Sequence, residues 1–384
     1  MNSELEEKIV SSYRGIRKLL GKNFKDNFVI SKVSKDYNNL QEALSDFIEY
    51  EEILINIKCS EKFIFKKIVA TKYYLMSILG YDITYNEYIK NTIGVNINYT
   101  SQDIIDDLII EIKNKLKLLK LEYSKDDINN KFYNLTMSQD DLKNYLINEY
   151  NRQKKIVETY LNIKFDEMFD IEFIDEEIPY KYYLSNNNDK YILKVNLNLD
   201  VSKFNKASLR YAIAHEIFGH ALQLSTWKMR IHKSEISQIC GCEEDYGPEI
   251  FQLEGVAESI VYFIFEEEID LEMEIELLLD KLHHLVQNNA YIMYNSGISL
   301  ENCVNYYSNY YILNDEDYVR NRIYMSKEDS FYKANLYVYG DCLTKFIEIC
   351  NELSKDERKI FLNKMYLQPM TSEEILSYSK SIQI

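Results

Sequence analysis

Apolar residues recur every three or four positions through much of the chain, and charged residues fill the gaps. The clearest run has isoleucine or leucine at Ile104, Ile105, Leu108, Ile109, Ile112, Leu116 and Leu119. An α-helix places residues three and four apart on one face, so this run predicts an amphipathic helix packed against a core. Ser138 with Asp141 three residues later is typical of a helix start, and predicts another helix that continues through Val157. Residues 1–165 are therefore expected to be a succession of helices.

The pattern changes to alternation beyond residue 184. The cluster Ser185–Asp189 is rich in turn-forming residues and predicts a turn. From Tyr191 to Leu199, apolar residues alternate with Ile192 and with polar residues, which is the period of a strand with one buried face. This is the strongest strand in the sequence.

The chain has 384 residues with only three Pro and ten Gly, which disfavours many short strands and tight turns. We therefore expect a mainly α fold. No repeat or linker divides it, so residues 1–165 are expected to form an N-terminal helical region, and residues 166–384 a catalytic region of one continuous fold.

Charge and cysteine content narrow the class of protein. A net charge of -17 argues against a nucleic-acid partner, which requires a basic face. The first twenty residues lack the apolar core of a signal peptide, and the apolar stretch Ile250–Phe265 contains Glu254 and Glu258, which would be costly in lipid. Six irregularly spaced cysteines favour a reducing compartment, and Cys240 and Cys242 lack the second pair of a structural zinc site. These features predict a cytoplasmic protein without a membrane span, and they do not indicate an oligomeric state.

Two of the five histidines flank a glutamate in the segment His215, Glu216, Gly219, His220. Histidines four apart on a regular helix are separated by about 40° and can share a metal ion, whereas five apart they are separated by about 140°. A one-residue helix bulge would restore the alignment, and Gly219 tolerates one. The motif therefore predicts a distortion of its own helix near Gly219.

A catalytic zinc ion takes three protein ligands and leaves one position open. Glu254 and Glu258 lie one turn apart in an apolar helical stretch, where a carboxylate is costly unless it is paired or bound to metal. We expect His215, His220 and Glu254 to bind Zn²⁺, and Glu258 to accept a hydrogen bond from a ligand histidine. Glu216 follows the first ligand and has the position of a general base.

These motifs resemble those of dipeptidyl peptidase III, which has His-Glu-x-x-Gly-His followed by Glu-Glu-x-x-Ala-Glu. The segment from His215 to His220 matches the first, and Glu254, Ala257 and Glu258 match the second. Leu253 replaces the leading Glu of the second motif.

A longer resemblance is to a family of bacterial zinc peptidases known mainly as an uncharacterised domain, with the signature His-Glu-x-x-Pro-Gly-His-His-x-Gln. The chain keeps five of these residues: His215, Glu216, Gly219, His220 and Gln223. It lacks the Pro, has Ala221 for the last His and is one residue shorter there. Glu254 to Ala257 corresponds to the family's Glu-Gly-Trp-Ala, and Ala334 to Gly340 has the spacing of its Ala-x-x-Tyr-x-x-Gly segment. The resemblance covers about residues 135 to 380.

The resemblance implies a thermolysin-related, gluzincin-type fold that is mainly helical, with a small sheet and a central cleft. It implies that Tyr191–Leu199 is the edge strand along which a peptide substrate lies. It also makes Tyr337 the hydrogen-bond donor to the oxyanion, although an aromatic residue of a core helix is an equal interpretation. His283 and His284 are more simply read as surface histidines than as substrate contacts.

The expected function is hydrolysis of a peptide bond by a zinc-dependent metallopeptidase. One alternative is the same chemistry on the amide of a modified peptide or natural product. Another is a binding protein of the same fold without turnover, which the retention of Glu216 disfavours.

Overall fold

The computed structural model describes residues 1–21, 31–133, 138–164, 169–178, 181–187, 190–198 and 204–383. The fold is mainly α, as expected, with one small sheet. The helices before the sheet are α1 (Ser3–Leu19), α2 (Leu40–Asn56), α3 (Lys62–Ile78), α4 (Tyr85–Thr92), α5 (Gln102–Leu118), α6 (Lys125–Phe132) and α7 (Gln139–Leu161).

Two helices predicted from periodicity are confirmed. Helix α5 buries Ile105, Leu108, Ile112 and Leu116, the residues that share one face, whereas Ile104 lies at the margin of this stripe and is exposed. Helix α7 begins with a capping box in which the Ser138 side chain accepts from the backbone of the third helical residue, and that residue's carboxylate accepts from the Ser138 N–H. Such reciprocal hydrogen bonds satisfy backbone donors that a helix start leaves unpaired.

The sheet has three strands, β1 (Phe169–Ile174), β2 (Tyr182–Asn187) and β3 (Lys190–Asn196), in the order β1-β3-β2. Strand β1 is parallel to β3, and β2 is antiparallel to it. The strand expected at Tyr191–Leu199 is present as β3, with Tyr191, Leu193 and Val195 buried. Leu199 lies outside the described residues.

The prediction that Tyr191–Leu199 is the edge strand is wrong, because β3 has a partner on each side. The turn expected at Ser185–Asp189 is also wrong for Ser185 to Asn187, which belong to β2 and pair with β3. Hydrogen bonding to a neighbouring strand overrides the low strand propensity of asparagine. Asn188 and Asp189 lie outside the described residues.

The chain continues after the sheet as helices again. These are α8 (Lys206–Ile213), a π-helix (Ala214–Ala221), α9 (Leu222–His232), α10 (Glu249–Ile264), α11 (Leu271–Asn295), α12 (Leu300–Tyr310), α13 (Glu316–Glu328), α14 (Ser330–Glu352), α15 (Lys355–Leu367) and α16 (Ser372–Ser381). Short 3₁₀ turns lie at Gln238–Gly241 and Glu266–Glu268. Helix α10 packs against both α14 and the π-helix and is almost wholly buried.

The N-terminal helices pack directly on the later ones. Helix α5 lies against α11, and α3 and α4 contact α14, within one hydrophobic core. Arg17 of α1 pairs with Glu244 at 2.7 Å, and Lys67 of α3 pairs with Glu249 at the start of α10. Among the described helices, none combines the length and apolar composition needed to cross a membrane.

Candidate metal centre

The segment that carries both histidines is π-helical from Ala214 to Ala221. A π-helix forms hydrogen bonds between residues five apart, so residues with that spacing come to lie on the same side. The rings of His215 and His220 are 4.7 Å apart between centroids, and their Nε2 atoms are 3.1 Å apart. The distortion predicted near Gly219 is confirmed, and it aims both rings at one place.

Helix α10 supplies the third group. The Glu254 Oε2 atom lies 3.3 Å from His220 Nε2 and 3.8 Å from His215 Nε2. All three side chains are between 12% and 15% exposed, so they are largely withdrawn from water yet remain accessible.

The donor set fits a zinc ion. Bonds of about 2.0–2.2 Å in tetrahedral geometry place ligand atoms about 3.3–3.6 Å apart, and the three separations in this site are 3.1, 3.3 and 3.8 Å. The Oε2 atom of Glu254 is buried without a hydrogen-bond partner among the described groups. A buried carboxylate oxygen in that state is costly unless a cation or donor meets it. His215, His220 and Glu254 could therefore hold the metal.

The metal-free site has an uneven charge distribution. Burial, assisted by His220, lowers the pKa of His215 to about 3. Burial also acts to lower the pKa of His220. The negative charge of Glu254 outweighs this effect and raises the pKa of His220 to about 9. Burial also acts to raise the pKa of Glu254, and His220 overcomes it so that the carboxyl stays ionised. The site thus resembles an ion pair beside a neutral imidazole.

Glu258 lies next to His215, but the hydrogen bond predicted between them is not formed. Its Oε1 atom is 3.7 Å from Nδ1 of His215, a ring nitrogen without a hydrogen-bond partner in the described structure. The Tyr211 hydroxyl donates a hydrogen bond to Glu258. Burial, reinforced by Asp280, raises the pKa of Glu258 to about 8. A small shift of Glu258 would orient His215, the usual role of such a carboxylate.

Asp280 and His284 of α11 lie next to Glu258. The sequence analysis did not predict them as part of the site. They form an ion pair at 3.5 Å, and their ligand atoms lie within 4.8 Å of one from Glu258. The prediction that His284 is a surface histidine is wrong, as is the same prediction for His283, whose ring nitrogen lies 2.5 Å from the Tyr307 hydroxyl. The spacing of Asp280 and His284, one turn apart on a helix, was the available signal.

Tyr337 does not lie in this group. Its side chain is 1% exposed, its ring packs edge-on against Tyr85, and its hydroxyl accepts a hydrogen bond from the Asn98 backbone N–H at 2.8 Å. The oxyanion role that the resemblance implies for Tyr337 is therefore not supported by its position. Helix α14 turns by about 200° over two residues, so Tyr339 points to the opposite side.

Tyr339 is the tyrosine of α14 that reaches the centre. Tyr339 helps to lower the pKa of the Glu254 carboxyl, after the larger effect of His220 and against the effect of burial. Its ring stacks on His284 at 5.5 Å with an angle of 10° between the planes. Tyr339 therefore lies close to both Glu254 and His284.

A cleft of about 710 Å³ opens beside His220 and Glu254, and we call it the metal cleft. Glu216, the expected general base, is among its lining residues. Apolar side chains form one part of its wall, including Leu224, Ile250 and Leu253. Strand β2 forms another part of the wall.

The outer edge of β2 carries backbone groups that β3 does not use. The Asn196 N–H donates to the Lys181 carbonyl at 2.9 Å, so this opposed pair is hydrogen-bonded. Such pairs alternate along an antiparallel ladder. Tyr182, Leu184 and Asn186 therefore turn their backbone N–H and C=O groups away from β3, where the described structure has no fourth strand.

Cys240 and Cys242 do not belong to either group of described residues that could hold a metal ion. Both are free thiols, and burial raises the pKa of Cys242 to about 12. A buried thiol in this state is a poor ligand and nucleophile.

Comparisons with known proteins add information on the fold alone. No family model matches the chain, and no curated protein matches it. A crystal structure from Colwellia psychrerythraea, described as a "putative lipoprotein", is similar over 89% of this chain with a TM-score of 0.58 and 13% sequence identity. This chain spans 60% of that protein's length. The similarity supports a shared, mainly helical architecture.

Proposed function

We propose that this chain is a zinc-dependent peptidase of the gluzincin type, with His215, His220 and Glu254 as metal ligands. The observation that carries the proposal is the π-helix from Ala214 to Ala221. It converts a histidine spacing that is unsuitable on a regular helix into a converging pair, directly opposite a buried carboxylate. A π-helix is an uncommon conformation and occurs often at functional sites.

The bound ion would polarise the scissile carbonyl and lower the pKa of a water molecule. Glu216 lines the cleft on the same turn as His215, where its carboxylate can accept a proton from the attacking water and later deliver it to the leaving amine. Glu258 would accept a hydrogen bond from His215 after a small shift, and the Asp280–His284 pair lies next to Glu258. Tyr339 favours the ionised form of Glu254, and apolar side chains form part of the cleft wall.

An extended peptide is the substrate that the cleft fits best. The unused backbone groups of β2 repeat every second residue, and this is the spacing at which a peptide strand adds to a sheet edge. The edge lies in the wall of the same cleft as Glu216. Strand β2 thus takes the place that the sequence assigned to β3.

The test is metal analysis of the purified chain followed by digestion of a mixed peptide library, with mass spectrometry of the products. We expect one zinc ion per chain and cleavage of internal or terminal peptide bonds. His220→Ala should lose both, whereas Glu52→Leu and Glu52→Gln, on an exposed position of α2, should lose neither. If the chain binds one zinc ion but cleaves no peptide, the substrate is instead expected to be a non-peptide amide. Absence of metal binding would end it.

A further inference from the structure

Arg322 of α13 is a partly buried arginine that makes no ion pair with a described carboxylate. Its neighbour on the same helix differs, because Arg320 pairs with Glu301 and Glu316 at 2.8 and 2.7 Å. The Arg322 guanidinium lies 5.9 Å from the centre of the Tyr318 ring instead. Its Nε atom is buried and has no hydrogen-bond partner among the described groups.

The groups around Arg322 do not balance its charge. Burial acts to lower the pKa of Arg322, and the neighbours that most oppose this effect are the phenols of Tyr291, Tyr318 and Tyr339. A phenol is neutral near pH 7, whereas an arginine keeps its positive charge at that pH. A charge withdrawn from water is costly unless it is paired and hydrogen-bonded. The guanidinium therefore favours a negative group beside it.

Tyr291 of α11 supplies a second, independent indication of a ligand at this place. Its side chain is 0% exposed, and its hydroxyl has no hydrogen-bond partner among the described groups. Burial raises the pKa of Tyr291, so the hydroxyl keeps its proton and can donate it to an acceptor. Arg322 acts to lower the same pKa, which places the guanidinium beside this hydroxyl. Two helices thus bring together two buried donors and one positive charge.

We infer that Arg322 and Tyr291 bind a small inorganic anion, of which chloride is the simplest, between α11 and α13. Such an anion accepts hydrogen bonds from both donors and neutralises the guanidinium. The two unpartnered atoms are withdrawn from solvent, which suits a single-atom ion better than phosphate or sulfate. Arg322 and Tyr291 are not among the described residues that line the metal cleft. The inference therefore goes beyond the proposed function and does not depend on it.

The first test is thermal unfolding of the full chain, as purified, while sodium chloride replaces sodium gluconate at constant ionic strength. Constant ionic strength keeps the screening of surface charges unchanged. A ligand that binds only the folded state raises the Tm as its concentration increases. We expect chloride to raise the Tm by about 2 °C or more at saturation, and bromide to do the same. Equal Tm values in chloride and gluconate would overturn the inference.

Two variants decide whether Arg322 and Tyr291 cause the rise. Tyr291→Phe removes one hydroxyl and keeps the ring, and Arg322→Gln removes the charge. Both should lose most of the chloride-dependent rise in Tm. Arg320→Gln is the matched control, since it removes the same charge from a position of α13 that already has carboxylate partners. A rise that persists in Tyr291→Phe contradicts the inference even if Arg322→Gln folds poorly.

Crystals grown in sodium bromide give a direct measurement, because bromide scatters X-rays anomalously near its absorption edge. We expect an anomalous peak within hydrogen-bonding distance of the Arg322 Nε atom and the Tyr291 hydroxyl. The peak should be absent from crystals of Tyr291→Phe and present in those of Arg320→Gln. A water molecule between the two donors, without anomalous signal, would show that these groups bind solvent and would overturn the inference.

Discussion

Gly219 of the π-helix lies directly against Ala257 of α10. A Cβ atom on residue 219 would be 2.6 Å from the Cα atom of Ala257 and 2.7 Å from its Cβ, closer than non-bonded carbons can approach. The contact brings the segment with His215 and His220 against the helix with Glu254. Glycine at this position therefore allows the close approach of the two helices that carry His215, His220 and Glu254.

Gly219→Ala should lower the free energy of unfolding by about 1–3 kcal/mol, because the added methyl group must push the helices apart. Zinc affinity should fall as well, since the same displacement moves Glu254 from the histidines. Denaturant unfolding and zinc titration measure the two effects. Alanine is intrinsically better than glycine in a helix by about 1 kcal/mol, so a more stable variant would show that the site has room.

Glu216→Gln should keep the fold and the bound zinc but reduce turnover by about 10²-fold or more. The substitution removes a proton acceptor without removing a metal ligand, and general-base assistance contributes about 10²–10⁴-fold. Single-turnover kinetics with a cleaved peptide measure the effect, and Glu52→Gln is the matched control. Activity equal to that of the unmodified chain would assign the base to another group.

Tyr339→Phe and Tyr337→Phe form a matched pair, since each removes one hydroxyl from α14. We expect Tyr339→Phe to weaken zinc binding by about 10-fold, because Tyr339 helps to lower the pKa of Glu254 and so favours the ionised carboxylate that binds a metal ion. Tyr337→Phe should leave zinc affinity and turnover unchanged and lower stability by about 1 kcal/mol, through loss of the bond from the Asn98 N–H. Zinc titration, kinetics and thermal unfolding distinguish the variants. A slow Tyr337→Phe enzyme of normal stability would return Tyr337 to the catalytic group.

Asp341→Asn should stabilise the chain at neutral pH. Burial raises the pKa of Asp341 to about 6, and its Oδ2 atom has no hydrogen-bond partner among the described groups. The folded state therefore holds the proton more tightly than the unfolded state, and the charged form costs stability as the pH rises from about 4 to 6. We expect a gain of about 1–2 kcal/mol at pH 7, allowing for partial exposure to solvent.

The gain should be much smaller near pH 4, where the Asp341 carboxyl is protonated in the folded state and only partly ionised in the unfolded state. Denaturant unfolding in the presence of a chelator at both pH values measures it without interference from zinc. Asp317→Asn, at an exposed position of α13, is the control for the loss of one negative charge. A gain that is the same at pH 4 and pH 7 would show that ionisation of Asp341 is not its cause.

Local patterns predicted the helices and the distorted metal helix, because each depends on residues close together in the chain. The stripe of α5 and the five-residue spacing of His215 and His220 are of this kind. Strands β1 and β2 were missed, although Phe169, Ile171 and Phe173 alternate with polar residues within β1. Their short length gave a weak signal, and the order of strands in the sheet depends on pairing that no local pattern encodes.

The choice between Tyr337 and Tyr339 could not be made from the sequence. Both lie on α14, and which one faces the metal ligands depends on how α14 rotates against α10. Tyr337 instead faces Asn98 from the N-terminal region, a contact between residues 239 positions apart. Asp280 and His284 likewise reach Glu258 only through the packing of α11.

The buried pair between Lys67 and Glu249 limits how far this protein can be shortened. Their side chains are 1% and 2% exposed, and Glu249 begins the helix that carries Glu254. A fragment starting at residue 166 would leave Glu249 charged, buried and without its lysine, and breaking such a pair from one side costs about 3–5 kcal/mol. That cost is comparable to the whole stability of many domains. A shortened version of this chain must therefore retain α3, or replace Glu249 with an uncharged residue that fills the same space.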